Sequence, residues 1–187
     1  MLPGGADRWI PTVLVSIAAI PVAVAASLIL GRWRIRRGVA PADATRTAWT
    51  EVGIVATTVP WIWMILTPLA GPGRVYLIPF VDLENQFQHE PLWLLMQIGG
   101  NLLVFAGFGF LAPIRWPIGI GWVIVTAGLA SASVESLQYL LHLGRVASVD
   151  DVLVNTIGAG LAAACSLRLV VPVARPARWV DMYIDGV

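Results

Sequence analysis

Residues 118–141 read IGIGWVIVTAGLASASVESLQYLL, a long apolar run in which Glu135 is the single acidic or basic side chain. A helix crossing a bilayer needs roughly 20 mostly apolar residues, and this run exceeds that. A soluble helix of such length would carry charge on at least one face. The run therefore predicts a membrane span, and the rest of the chain agrees. Similar segments occupy about Trp9 to Leu30, Val52 to Ala70, Leu92 to Ile114 and Val152 to Val171, with the quoted span taken as Ile118 to Leu141. Composition points the same way: 58% of the 187 residues are hydrophobic and 12% charged, and the mean hydropathy is +0.79. An all-α polytopic bundle of about five transmembrane helices follows, as one membrane domain over residues 1–187. A transmembrane barrel is excluded, since its strands would be short and alternating.

Charge sets the expected orientation. Every one of the 12 basic residues is arginine. Placing Arg32, Arg34, Arg36, Arg37, Arg46, Arg115, Arg168, Arg175 and Arg178 inside leaves only Arg8, Arg74 and Arg145 outside, so the positive-inside rule predicts an outer N-terminus and a cytoplasmic C-terminus. The first span carries Ala23, Ala25 and Ala26, small residues of the kind found at a secretory-signal cleavage site. The basic cluster RWRIRR (32–37) follows that span instead of preceding it, which predicts a retained anchor. Cys165 is alone, so no disulfide framework exists. A net charge of +1 offers no nucleic-acid surface. The 31–51 segment reads as a cytoplasmic loop. The outer loop GPGRVYLIPFVDLENQFQHEP (71–91) reads either as a membrane-surface segment with its aromatic rings at headgroup level or as a plain apolar connector. Gly128 with Ala132 and Gly158 with Ala162 have the four-residue spacing that lets helices approach closely. Trp9, Trp33, Trp93, Trp116 and Trp179 read as interfacial anchors, and Pro60 predicts a kink in the second span.

Polar groups inside spans are the informative exceptions, because an ionisable group at mid-membrane costs roughly 2.5–3.5 kcal/mol on an insertion scale. In the fourth span Ser131, Glu135, Gln138 and His142 form one stripe at i, i+4, i+7 and i+11. Glu135 lies about 9 Å below the outer end, six residues at a 1.5 Å rise. Gln97 and Asn101 are one turn apart in the third span. Asp151, Asn155 and Gly158 share a face of the fifth. Lipid penalises unsatisfied polar atoms, so the three stripes are expected to face one another around an outward hollow. Plainer readings stand beside this one. Ser148 and Asp151 fit a capping box at the start of the fifth helix, and Asn101 and Asn155 fit interhelical hydrogen-bond glue.

NLLVFAGFGFLAP from Asn101, SVESLQYLLHLGR from Ser133 and SVDDVLVNTIGAGLA from Ser148, with LIPF (Leu77–Phe80) upstream, resemble in order and spacing the VanZ-like membrane family. The resemblance covers about residues 76–167. Two positions depart from it: Ser148 stands where the family often has an acid, and Gly107 where it often has a proline, which is expected to relax a kink. The resemblance implies a multi-pass protein of the bacterial cytoplasmic membrane and a link to teicoplanin-type glycopeptide resistance.

Two functions of different kinds fit these residues. The first is a binding protein whose outward polar pocket takes a membrane lipid or lipid-linked envelope precursor. Asn101, Glu135, Gln138, Arg145, Asp150, Asp151 and Asn155 would bind it, with the planar fork of Arg145 suited to a phosphate or carboxylate. The second is an intramembrane enzyme acting on a lipid or polyprenyl-phosphate headgroup, with Glu135 as general acid or base and the aspartate pair orienting water or a divalent cation. Ser131 and His142 are about 16 Å apart by helical rise, which excludes a triad with Asp151. No metal or nucleotide motif is present, so no cofactor is implied. Transport has less support, since five spans without an inverted repeat provide no alternating-access frame.

Overall fold

The structure, a computed structural model, describes residues 6–170. The expectations for Arg175, Arg178, Trp179 and the C-terminus lie outside these residues, as do those for the side chains of Arg8 and Trp9. Among the described residues five helical segments are long and apolar enough to span a membrane. The first is α1 (Ala6–Arg36) and the second α2 (Pro41–Leu66). The strand β1 (Arg74–Tyr76) and the short helix α3 (Val81–Gln86) follow. The third span is split into α4 (Pro91–Val104) and α5 (Ala106–Arg115), the fourth is α6 (Ile120–Leu140), and strand β2 (Val146–Ser148) leads into α7 (Val149–Leu169).

α7 is the central helix, packed against α4, α5 and α6, while α2 packs on α5 and α6. Where helix backbones nearly touch, the sequence has glycine. A Cβ on Gly158 would fall 2.1 Å from the Leu102 carbonyl oxygen, and one on Gly109 2.2 Å from that of Ala159. Gly158 therefore fulfils its expected packing role against α4, and Gly128 approaches Thr156 across the α6–α7 seam. The buried core between them is small-residue and apolar: Val104, Ala112, Val123, Ala127, Ala159 and Ala163. α1 packs chiefly on α2. Its remaining surface exposes Leu14, Ile17, Val22 and Ile29, as a lipid-facing helix does.

Two boundaries differ from the sequence reading. The expected 31–51 loop is almost entirely helical, with a turn of only four residues between Arg36 and Pro41. Proline at the first helical position starts α2, and Glu51, expected in the loop, is paired across helices instead. Arg34 Nη2 and Arg115 Nε each lie 2.5 Å from a different oxygen of Glu51, and Arg34 Nη1 also donates to Thr47 Oγ1 at 2.7 Å. The second difference is the interruption of the third span at Phe105 (φ −112°, ψ 8°). Gly107 does not abolish the bend. It admits Thr57, whose Oγ1 lies where a Cβ would be, 1.9 Å away.

The Glu51 clamp joins α1, α2 and α5 at the end of the bundle that carries most of the arginines. Removing one partner of a partly buried ion pair leaves the other charge less well compensated. Glu51→Ala is expected to lower unfolding stability by on the order of 2 kcal/mol, with exposure reducing the full buried-pair value. The measurement is thermal unfolding in detergent. A midpoint unchanged from wild type, or one that Arg115→Ala lowers further by its full single-variant effect, would refute the clamp.

Candidate functional site

At the opposite end, the C-terminal ends of α2 and α6 and the N-terminal ends of α4 and α7 surround a cavity of about 640 Å³. Two long loops are sewn together to form one side of it. β1 and β2 pair in parallel with Arg74 opposite Val146 and Tyr76 opposite Ser148. The Leu69 N–H donates to Leu143 O at 2.8 Å and the Arg74 N–H to Arg145 O at 3.2 Å. Gly144 makes this approach possible: its φ is +66°, and a Cβ there would sit 2.0 Å from Leu69 O. The Arg145 side chain completes the seam by donating from Nε to Thr67 O at 2.9 Å and from Nη2 to Met64 O at 2.6 Å. It thereby caps the last turn of α2, where carbonyls lack intrahelical partners.

The segment between β1 and α4 forms the roof, and its burial is the reverse of a soluble loop. Leu77, Ile78, Phe80 and Phe87 are exposed, whereas Asp82 and Gln86 are buried and joined by a 2.7 Å hydrogen bond. Phe80 adopts a left-handed conformation (φ 71°) at the start of α3. Asp150, only 2% exposed, fixes this turn by accepting the Phe80 N–H at 2.6 Å and the Leu83 N–H at 2.9 Å. One aspartate of the pair thus caps a helix distant in sequence.

Asp151 points elsewhere, as a neighbour about 100° around a helix must. It accepts a hydrogen bond from Asn101 Nδ2 of α4 and lines the cavity. The capping box expected from Ser148 and Asp151 is therefore divided. Ser148 Oγ accepts the Asp150 N–H at 3.0 Å, as an N-cap does, but the reciprocal acceptor for the Ser148 N–H is Glu135 Oε2 of α6, at 3.0 Å. Glu135 is 8% exposed and faces the same cavity. Gln138 lines it too, with its Nε2 3.5 Å from Ile65 O and its Oε1 without a partner.

Of the seven residues singled out from the sequence, Asn101, Glu135, Gln138, Arg145 and Asp151 border the cavity, and Asp150 and Asn155 do not. Asp150 is turned into the roof. Asn155 Nδ2 donates to Ser131 Oγ at 2.8 Å, tying α7 to α6 one turn deeper, which is the glue reading of that amide. Arg145 borders the space while two of its donors hold α2. His142 is exposed in a left-handed turn and does not border the cavity. The sequence reading missed Asp82, Gln86, His89 and Trp93, all of which line it. Asp82 and Gln86 have the i, i+4 spacing that could have revealed them. Trp93, read as an anchor, stacks on His89 with ring centroids 4.4 Å apart.

Burial pushes the Asp82 carboxyl above its ordinary value of 3.8; the Gln86 hydrogen bond opposes this, Asp150 adds to the rise, and Ser148 opposes it. The fold thus favours the neutral acid. That contribution is complete below the unfolded value and is lost as pH rises through the higher native one. Roof residues 77–90 should accordingly become more protease-sensitive as pH increases from about 4 toward neutrality. Asp82→Asn is expected to flatten the profile, and equal slopes in variant and wild type would contradict this assignment.

Among the described residues no three histidine, cysteine or carboxylate side chains converge closely enough to hold a metal ion. No curated protein and no solved structure matches the chain. One family model does, and it covers residues 54–171, from the middle of α2 past the end of α7, taking in every wall of the cavity and its roof. This multi-pass membrane protein belongs to the VanZ/LLP1 family.

Proposed function

We propose that the protein binds the polar headgroup of a membrane lipid or lipid-linked envelope precursor in the cavity, in the cytoplasmic membrane of a bacterium and with the cavity facing outward. The carrying observation is the convergence of Asn101, Glu135, Gln138 and Asp151, from three spans, on one space beneath a roof whose apolar side chains point away from it. Polar groups held among apolar spans are costly unless something hydrogen-bonds to them. A headgroup does so while its chains remain in lipid. The outward orientation rests on the arginines, since Arg32, Arg34, Arg36, Arg46, Arg115 and Arg168 lie at the helix ends away from the cavity. A link to teicoplanin-type resistance would then run through the supply or exposure of such a precursor.

Filling the space tests this reading without touching its polar groups. Ala70 lines the cavity at an exposed position. Native mass spectrometry of the purified protein is expected to show retained lipid on wild type and about tenfold less on Ala70→Trp, the loss of some 1.4 kcal/mol of binding. Equal retention by both would sink the proposal.

One observation favours a second, catalytic reading. Glu135 sits in the same space with its carboxylate held by a backbone N–H, positioned to exchange a proton with a bound headgroup. Release of headgroup from lipid phosphates by wild type, abolished in Glu135→Gln, would establish it, and silence of both would remove it.

A further inference from the structure

Resting on the headgroup-binding reading, we propose that the group seated deepest in the cavity is a primary ammonium, carried on a lipid. Three carboxylates from three separate parts of the chain line this space: Asp82 from the roof, Glu135 from α6 and Asp151 from α7. Each accepts from a neutral donor, namely the Gln86 amide, the Ser148 N–H and the Asn101 amide. Asp150 lies close enough to Asp82 and Asp151 to add its own field. Among the described residues, Arg145 and Arg74 are the arginines that border the cavity, the latter at an exposed position. Counting both in full, three acids face two guanidinium groups, and the field of Asp150 adds to the acidic side from the roof. Buried carboxylates in such excess need a cation or protons to be tolerated.

A second observation shows what kind of cation. The Gln138 side chain lines the same space, is 6% exposed, and leaves Oε1 without a hydrogen-bond donor. Such an orphaned buried acceptor calls for an N–H or O–H. A bare metal ion is a poor match, because among the described residues the acids do not converge into a ligand set and metal–oxygen bonds must be short, at about 2.0–2.6 Å. A primary ammonium carries three N–H donors on a compact cation and can reach separated acceptors. A quaternary ammonium supplies the charge but no donor. A glycerol headgroup supplies donors but no charge. The exposed apolar residues of the roof, Leu77, Ile78 and Phe80 among them, provide lipid contact beside the entrance, which favours a lipid over a soluble amine.

The test uses the full chain in nanodiscs of equimolar phosphatidylethanolamine, phosphatidylcholine and phosphatidylglycerol, with retained lipid read by native mass spectrometry. Preferential retention of the ethanolamine lipid is expected, falling about tenfold or more in the double variant Glu135→Gln, Asp151→Asn. Both substitutions keep an oxygen for the Ser148 N–H and the Asn101 amide, and circular dichroism checks that the variant folds. Displacement by micromolar free ethanolamine would support the ammonium but overturn its lipid source. Retention of phosphatidylglycerol or another headgroup, sensitive to the same variant and to Ala70→Trp, overturns the ammonium and leaves the headgroup reading standing. Absence of any headgroup preference, with neither variant having an effect, overturns both.

Discussion

Asp150→Ala detaches the cavity roof while the five spans remain folded. Its two oxygens accept N–H groups of Phe80 and Leu83, 70 and 67 residues away in sequence. These are charge-assisted bonds in a buried place, each contributing about 1.5–3 kcal/mol, and their loss leaves two backbone donors unsatisfied. Because the two bonds act as a unit, we expect about 3 kcal/mol in total, not the sum of two maxima. At 1.4 kcal/mol per tenfold, hydrogen exchange across residues 80–86 should accelerate by about a hundredfold, while amides in the middle of α6 and α7 keep their protection. The left-handed Phe80 strengthens the expectation, since a bulky residue holds such a conformation only while its surroundings compel it. Asp150→Asn, which retains one acceptor oxygen, should fall between. If exchange in the roof is the same in wild type and Asp150→Ala, the latch does not exist. If α6 and α7 lose protection too, Asp150 supports the whole bundle and the roof is not a separate unit.

Gly158→Ala is expected to be the most damaging small substitution among the helix contacts. The added methyl carbon would meet Leu102 at its carbonyl oxygen (2.1 Å), carbonyl carbon (2.7 Å) and Cα (2.8 Å), all backbone atoms of α4 that cannot swing aside. The helices must separate, at a cost on the order of 3 kcal/mol for overpacking a close contact. The damage should extend to the cavity, because Leu102 adjoins Asn101 and Gly158 lies two turns below Asp151 on the same face of α7, so separation pulls that hydrogen-bonded pair apart. Reduced lipid retention together with a lowered unfolding midpoint is the expected pair of results. Gly99→Ala provides the control. It is on the same helix as Asn101 with nothing within 4 Å of its added carbon, and alanine stabilises a helix relative to glycine. A midpoint for Gly158→Ala equal to that of Gly99→Ala would show that α4 and α7 are not in backbone contact.

Much of the architecture was readable from one dimension because a bilayer is a simple solvent. It demands about 20 apolar residues per crossing and satisfies no stray polar atom, so hydropathy alone located five spans, and 3.6-residue periodicity alone picked out the polar faces bearing Asn101, Glu135 and Asp151. Local chemistry was equally legible at Ser148, whose hydroxyl caps the helix that follows it. Arg34, Glu51 and Arg115 were not legible as a clamp. Charge in a sequence shows what water or lipid would do to each group singly, whereas pairing across spans depends on where the chain returns.

Sequence by itself therefore determined that this chain is a five-span helical bundle and which helix faces are polar, since burial in lipid is decided residue by residue. Only the tertiary structure decided what those faces do. It sent Asp150 to the roof and Asp151 to the cavity, gave Glu135 the Ser148 N–H that a capping box would have kept local, committed Arg145 to the end of α2, and folded Asp82 and Gln86 over the opening. The physical reason is how far along the chain each interaction reaches. Partition into lipid and helix period are read from each segment by itself, while a hydrogen bond such as that from Leu83 to Asp150, 67 residues away, requires donor and acceptor to arrive within about 3 Å, a condition set by how whole helices pack.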